Sequence, residues 1–139
     1  MRIAPSLPFL LAALLVAPGV QAARTAPLQN YDEVLVATPD GKPTTAENVR
    51  KAIIAGASRT RWAVSARPGD ANTIRLTYNR GSHTAVVDVT YSAKSYSIRY
   101  ADSTNLNYAE ERGKQLIHPV YNKQVNSLRL AIDIALRSN

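Results

Sequence analysis

The chain has 139 residues, 45% of them hydrophobic, with 17 Lys and Arg against 10 Asp and Glu, a formal net charge of +7. It contains no cysteine, which excludes structural disulfides, thiol nucleophiles and a lipid attached through an N-terminal cysteine. That length suits one domain with one core.

The first element is an address. Arg2 supplies a positive charge, LPFLLAALLV (Leu7 to Val16) an apolar run, and Val20-Gln21-Ala22 the small residues that a signal peptidase reads. Pro18 and Gly19 break any helix before that point. Cleavage after Ala22 is expected, with residues 1–22 as a signal peptide and 23–139 as a single domain. A membrane span requires roughly 20 apolar residues and this run is about half that, so no transmembrane segment is expected after cleavage. The leader carries one basic residue, Arg2, and no acidic one, so its removal lowers the net charge from +7 to +6. An exported basic chain does not normally meet nucleic acid. Its expected counterparts are anionic lipid, lipopolysaccharide, peptidoglycan carboxylates or an acidic envelope protein, although net charge also serves solubility alone.

Residues 23–32 read as a loose leader, followed by a short strand over EVLVA (Glu33 to Ala37) and the turn formers of TPDGKP. Thr44 stands three residues before Glu47, the spacing of a capping box. Ala46, Val49, Ala52, Ile53 and Ala57 then recur at helical intervals, which predicts a helix from about 45 to 57 with an end frayed at Gly56. From Trp62 to Ala101 the sequence alternates. WAVSA, TIRLTY, HTAVVDVTY and YSIRYA are four strands, broken by RPGDAN, NRGS and SAKS.

Arg80-Gly81 as a two-residue loop sets Tyr78 against His83, Leu76 against Ala85 and Ile74 against Val87. Ala93-Lys94 as the next loop sets Tyr91 against Tyr96, Val89 against Ile98 and Asp88 against Arg99, although Ala-Lys is poor chemistry for a tight primed turn. The Asp88–Arg99 pair is an expected surface ion pair, worth about 0.2–1 kcal/mol. One face of this meander is apolar and the other carries Arg75, Thr77, Val86, Asp88, Thr90, Ser97 and Arg99, so only one face needs covering. DSTNLNYAEERGKQLI follows as an ordered surface loop with Leu106 and Tyr108 tucked in.

Pro119 suits the first turn of a helix, where its missing N–H is unpaired anyway. A helix over 119 to about 137 follows, with Tyr121, Val125, Leu128, Ile132 and Ala135 facing the sheet and Val120, Leu130, Ile134 and Leu136 widening the stripe. Two readings of His118 stand: a capping residue, or a general base acting with Tyr121 or Tyr108 in a hydrolase or isomerase. Asn122 is expected to bond backbone in the preceding loop. The fold class predicted is α+β, with two helices packed on one face of a four-stranded, mainly antiparallel sheet.

The run Tyr100–Ser103–Leu106–Tyr108, then Ile117-His118–Tyr121-Asn122–Val125–Leu128–Ile132, resembles a family of small secreted or lipid-anchored bacterial proteins of unassigned function, whose C-terminal half reads IHxxYNxW[VI]xxL. Gln124 stands where that family often has tryptophan. The resemblance spans about residues 95–132. It implies an α+β domain in the cell envelope and supplies no reaction.

Catalytic sets are sparse. No Ser lies in Gly-x-Ser-x-Gly, the glycines stand singly rather than in a phosphate-cradling loop, and adjacent Glu110 and Glu111 diverge on any regular element. His83 and His118, the two histidines, stand far apart, so neither metal nor cofactor is expected. Binding roles fall to basic and aromatic groups: Arg61, Trp62, Arg75 and Arg99 for an anionic surface or protein partner, and His118, Tyr121 and Asn122 at the helix start; Trp62, close to Arg59, Arg61 and Arg67, also reads as a core residue with solvated neighbours. Tyr91, Tyr96 and His83 line a ligand groove if the inner face of the sheet is only partly covered, the reading that makes the protein a small-ligand carrier. The expected function is a non-enzymatic periplasmic binding or accessory protein of the cell envelope.

Overall fold

A computed structural model describes residues 24–65 and 70–138. The expected signal peptide and Arg67 lie outside them. Ten elements besides one short 3-10 turn (Pro39–Gly41) follow in order: β1 (Ala26–Pro27), β2 (Tyr31–Leu35), α1 (Ala46–Arg59), β3 (Trp62–Ser65), β4 (Thr73–Arg80), β5 (His83–Tyr91), β6 (Ser95–Thr104), β7 (Ala109–Glu111), β8 (Lys114–Ile117) and α2 (Pro119–Arg137). The class is α+β with antiparallel pairing throughout. In place of one four-stranded sheet there are two sheets, a five-stranded one ordered β2-β6-β5-β4-β3 and a three-stranded one ordered β1-β8-β7.

The second sheet arises from segments read as a leader and a loop. Ala26 and Pro27 pair with Ile117 and Leu116, and Ala109 to Glu111 pair with Leu116 to Lys114. Arg112 and Gly113 both have positive φ, 52° and 77°, as a tight primed hairpin turn requires. These strands are two to four residues long and largely exposed, too short to show an alternating pattern.

Within the meander, the β5–β6 register is the expected one at Tyr91–Tyr96, Val89–Ile98 and Asp88–Arg99. Its turn avoids positive φ at Ala93 and Lys94; instead the Ser92 hydroxyl accepts from the Lys94 and Ser95 amides at 3.1 and 3.2 Å. The β4–β5 register differs by two residues, with Arg80 opposite His83, Leu76 opposite Val87 and Ile74 opposite Val89. Gly81 has φ +59° and so takes the first central position of the turn, where glycine is tolerated without strain. A two-residue shift keeps every side chain on its face, so the core survives the correction.

That core is a single cluster. Ile74, Leu76, Ala85, Val87, Val89, Tyr91, Tyr96 and Ile98 from one face of the sheet meet Val49, Ala52, Ile53 and Ala57 of α1 and Tyr121, Val125, Leu128 and Ile132 of α2. Helix α1 begins one residue later than expected: the Thr45 hydroxyl, not that of Thr44, accepts from the Asn48 amide at 3.1 Å. Gly56 does not fray the helix. It is buried, and a Cβ there would lie 2.7 Å from the Ile132 backbone nitrogen, so it marks the point where α1 and α2 cross most closely. Helix α2 has the expected bounds, yet Leu130 and Ile134 face solvent, because helical spacing puts them opposite the buried stripe of Tyr121, Val125, Leu128 and Ile132.

Candidate binding site at the start of helix α2

The segment from Tyr100 to Asn122 converges on the first turn of α2, where Tyr100, Tyr108, His118 and Asn122 each have a structural task. The Tyr100 ring stacks on Tyr108 at 4.5 Å, meets the edge of Tyr121 at 5.7 Å, and its hydroxyl lies 2.8 Å from that of Ser103. Leu106 is buried, and its carbonyl accepts from the His118 amide at 2.7 Å. The His118 Nδ1 accepts from the Val120 amide at 3.1 Å, so the imidazole caps the helix, satisfying one of the amides that have no partner within it. As an acceptor, Nδ1 carries no proton, which puts the proton of the neutral ring on Nε2.

Neither tyrosine considered beside His118 reaches it by a hydrogen bond. The Tyr108 hydroxyl donates to Glu110 at 2.9 Å and accepts from Gln115 at 3.0 Å. The Tyr121 hydroxyl is buried with no hydrogen-bond partner, and burial pushes its ionisation far above the usual phenol range. A base and a nucleophile need mutual hydrogen-bond reach; the three side chains do not provide it.

Asn122 bonds backbone, but of the N-terminal segment rather than the preceding loop. Its Nδ2 donates to the Pro27 carbonyl at 2.9 Å and its Oδ1 accepts from the Gln29 amide at 3.0 Å. The amide thus ties residues 27–29 to α2, while the Leu28 amide donates to the Gln115 carbonyl. Asn122→Ala is expected to cost about 1–2 kcal/mol and to raise hydrogen exchange at residues 26–29 well above that of the meander. Equal protection in both proteins would show that β1 pairing alone holds the segment.

The basic candidates separate into paired and free. Arg75 faces Asp88 across the polar side of the sheet, with Nε–Oδ1 2.9 Å and Nη2–Oδ2 3.1 Å, a geometry that raises the Arg75 pKa. The expected Asp88–Arg99 pair is therefore replaced: Arg99 places Nε 2.8 Å from Asp32. Asp32 gets there because β2 bulges between Tyr31 and Val34, at Glu33 with φ +48°. Arg75, Asp88, Arg99 and Asp32 make a row of alternating charge over four neighbouring strands. Trp62 is 2% exposed and tilts against Tyr78 at 5.4 Å, so its ring belongs to the core and is closed to a surface ligand. Arg61 is exposed, with φ +63° at the turn between α1 and β3.

Two hollows adjoin this end of the molecule and share Tyr78 and Gln124. One is a slot of about 40 Å³ lined by Tyr78, Ala85, Leu106, Val120 and Tyr121, with Arg80 and His83 at its rim; the other is open, about 270 Å³, and edged by Arg59, Arg61 and Ser127. The slot is far below the roughly 300–1,000 Å³ of a small-molecule pocket. The groove anticipated from Tyr91, Tyr96 and His83 does not form as a unit. Tyr91 and Tyr96 are buried, and His83 alone of the three edges the slot. His83 Nδ1 lies 2.8 Å from the Asn105 carbonyl.

Sequence reasoning missed a half-buried network on the far side of α2. The Tyr96 hydroxyl donates to Asp133 at 2.6 Å, Arg129 reaches Asp133 at 3.4 Å and Asn126 at 3.1 Å, and Tyr31 donates to Asn126 at 3.3 Å beneath the Arg129 guanidinium. Burial, then the bond to Asp133, pushes the Tyr96 phenol far up. The i,i+4 spacing of Arg129 and Asp133 was the available signal. Among the described residues no group of three or more His, Cys, Asp or Glu is placed to hold a metal ion, and no helix is long and apolar enough to cross a membrane. No family model matches the chain, and no curated protein matches it significantly.

Proposed function

We propose that the chain is a non-enzymatic accessory protein of the bacterial cell envelope, exported to the periplasm and acting by binding an acidic envelope protein. The observation that carries this reading is the use of the polar groups around the start of α2. His118, Tyr100, Tyr108 and Asn122 are committed to helix capping, ring stacking and tethering of the N-terminal segment, whereas Arg59, Arg61 and Arg80 have no ion-pair partner among the described residues. The N-terminal pattern of Arg2, the apolar run and Val20-Gln21-Ala22 supports export. The likeness to small secreted and lipid-anchored envelope proteins, over about residues 95–132, supports the same compartment.

Cell fractionation of the full chain carrying a C-terminal tag tests this. The expected product begins at Ala23, lies in the periplasmic fraction, and captures envelope proteins at low salt that high salt releases. An uncleaved chain in the cytoplasm overturns the reading, as does capture that is indifferent to salt.

A further inference from the structure

Resting on that reading, we propose that the groove centred on Tyr78 and Gln124 docks an acidic peptide segment of the partner that carries one small branched aliphatic side chain. The slot and the open hollow lie side by side, sharing Tyr78 and Gln124 in their linings, so one extended segment laid across those two residues reaches both. Apolar walls from Tyr78, Ala85, Leu106, Val120 and Tyr121 enclose the slot. A slot of about 40 Å³ lies well below the size of a small-molecule pocket, so it has room for a small apolar side chain such as that of valine and not for an acyl chain.

The rim supplies the complementary charge. Arg59 and Arg61 edge the open hollow, while Arg80 lends its apolar stem to the wall of the slot and keeps its guanidinium outside it. Arg75, Arg99 and Arg129, by contrast, are each engaged by an aspartate of this chain. Carboxylates on either side of the anchoring side chain meet guanidinium groups suited to bidentate pairing. Arg61 holds φ +63° just past the end of α1, a position that favours glycine and makes glycine the substitution that removes its side chain without strain.

The test uses the full mature chain and fluorescein-labelled Glu-Asp-Val-Asp-Glu, its Glu-Asp-Ser-Asp-Glu twin, and vesicles of phosphatidylglycerol. Fluorescence anisotropy is expected to show the valine peptide bound about tenfold tighter than the serine twin, a difference of about 1.4 kcal/mol. Combined Arg61→Gly and Arg80→Ala substitution is expected to weaken it about a further tenfold. Glycine relieves the left-handed backbone at position 61, so this variant stays folded with an unchanged or raised Tm. Gln124→Trp, which fills the slot from α2, is expected to abolish the preference for valine over serine. Equal affinity for the two peptides overturns the proposal, as does binding indifferent to the arginine variant, or binding to the vesicles alone. Peptide binding by a chain found in the cytoplasm leaves the groove standing and removes the envelope reading. An exported, envelope-retained chain that ignores both peptides does the reverse.

Discussion

Replacing Gly56 with alanine is expected to destabilise the protein, against the usual order of helix propensities. At an exposed helical position alanine is favoured over glycine by about 1 kcal/mol. At Gly56 the new Cβ would stand 2.7 Å from the Ile132 nitrogen and 2.9 Å from its Cα. Those are backbone atoms of α2, which cannot swing aside as a side chain can, so the helices must separate and loosen the core contacts between them. Overpacking of this kind costs about 1–3 kcal/mol. With backbone atoms as the obstacle the cost lies at the upper end of that range, about 3 kcal/mol; less the propensity gain of about 1 kcal/mol, we expect a net loss of about 2 kcal/mol and a fall in Tm of roughly 10 °C, measured by thermal and urea unfolding. The neighbouring Ala55 is exposed, and Ala55→Gly should lose only about 1 kcal/mol. A Gly56→Ala protein more stable than the parent would mean the helices do not cross at this point.

The second large effect lies at Tyr121, where the ring and the hydroxyl are expected to act in opposite directions. The residue is 1% exposed and its ring packs edge-on to Tyr100. Tyr121→Ala should cost about 4 kcal/mol, the loss of a buried aromatic plus the cavity it leaves. The hydroxyl, buried without a partner, is a desolvated donor that gains nothing in return. Tyr121→Phe is therefore expected to leave stability unchanged or raise it by up to about 1 kcal/mol. The pH dependence has a definite sign. Burial raises the Tyr121 pKa in the folded state, while in the unfolded chain the phenol titrates near its usual value of about 10. The folded state keeps the proton and the unfolded state releases it, so stability is full below about pH 10 and falls as the pH climbs beyond. Phenylalanine removes this share of the fall. Urea unfolding at about pH 8 and about pH 10.5 should show the advantage of the variant widening at the higher pH; a gap that stays constant would mean the hydroxyl reaches water or a partner.

Where alternation or helical spacing extended over many residues, the elements were legible. Helix α2 begins at Pro119 and ends at Arg137 as expected, because proline, cap and stripe all agree. Strand faces were legible for a related reason. Moving the β4–β5 turn from Arg80-Gly81 to Gly81-Ser82 changes partners by two residues and leaves each side chain where its parity put it. The same dipeptide, Arg-Gly, recurs at 112–113 and there does form the two-residue turn. A glycine signals positive φ without saying which turn position it fills, and neighbouring strands too short to alternate give no second vote.

The candidate site was the least legible part. Arg61, Arg75 and Arg99 are alike as residues, and what separates them is a bulge at Glu33 that brings Asp32 to Arg99, together with the register that sets Arg75 across from Asp88. Trp62 read as core and as surface patch from the same neighbours; the opposition of Tyr78 settles it as core. By itself the sequence determined which side of each long strand is oily and where the last helix starts, since these depend on interactions within a few residues; between the two readings of His118 the bond to the Val120 amide decided for the cap. Tertiary structure alone decided that Gly56 is a crossing point, that the N-terminal residues are bound by Asn122, and that a slot opens beside Tyr78. Each of these depends on the distance between segments remote in sequence, a quantity no local pattern encodes.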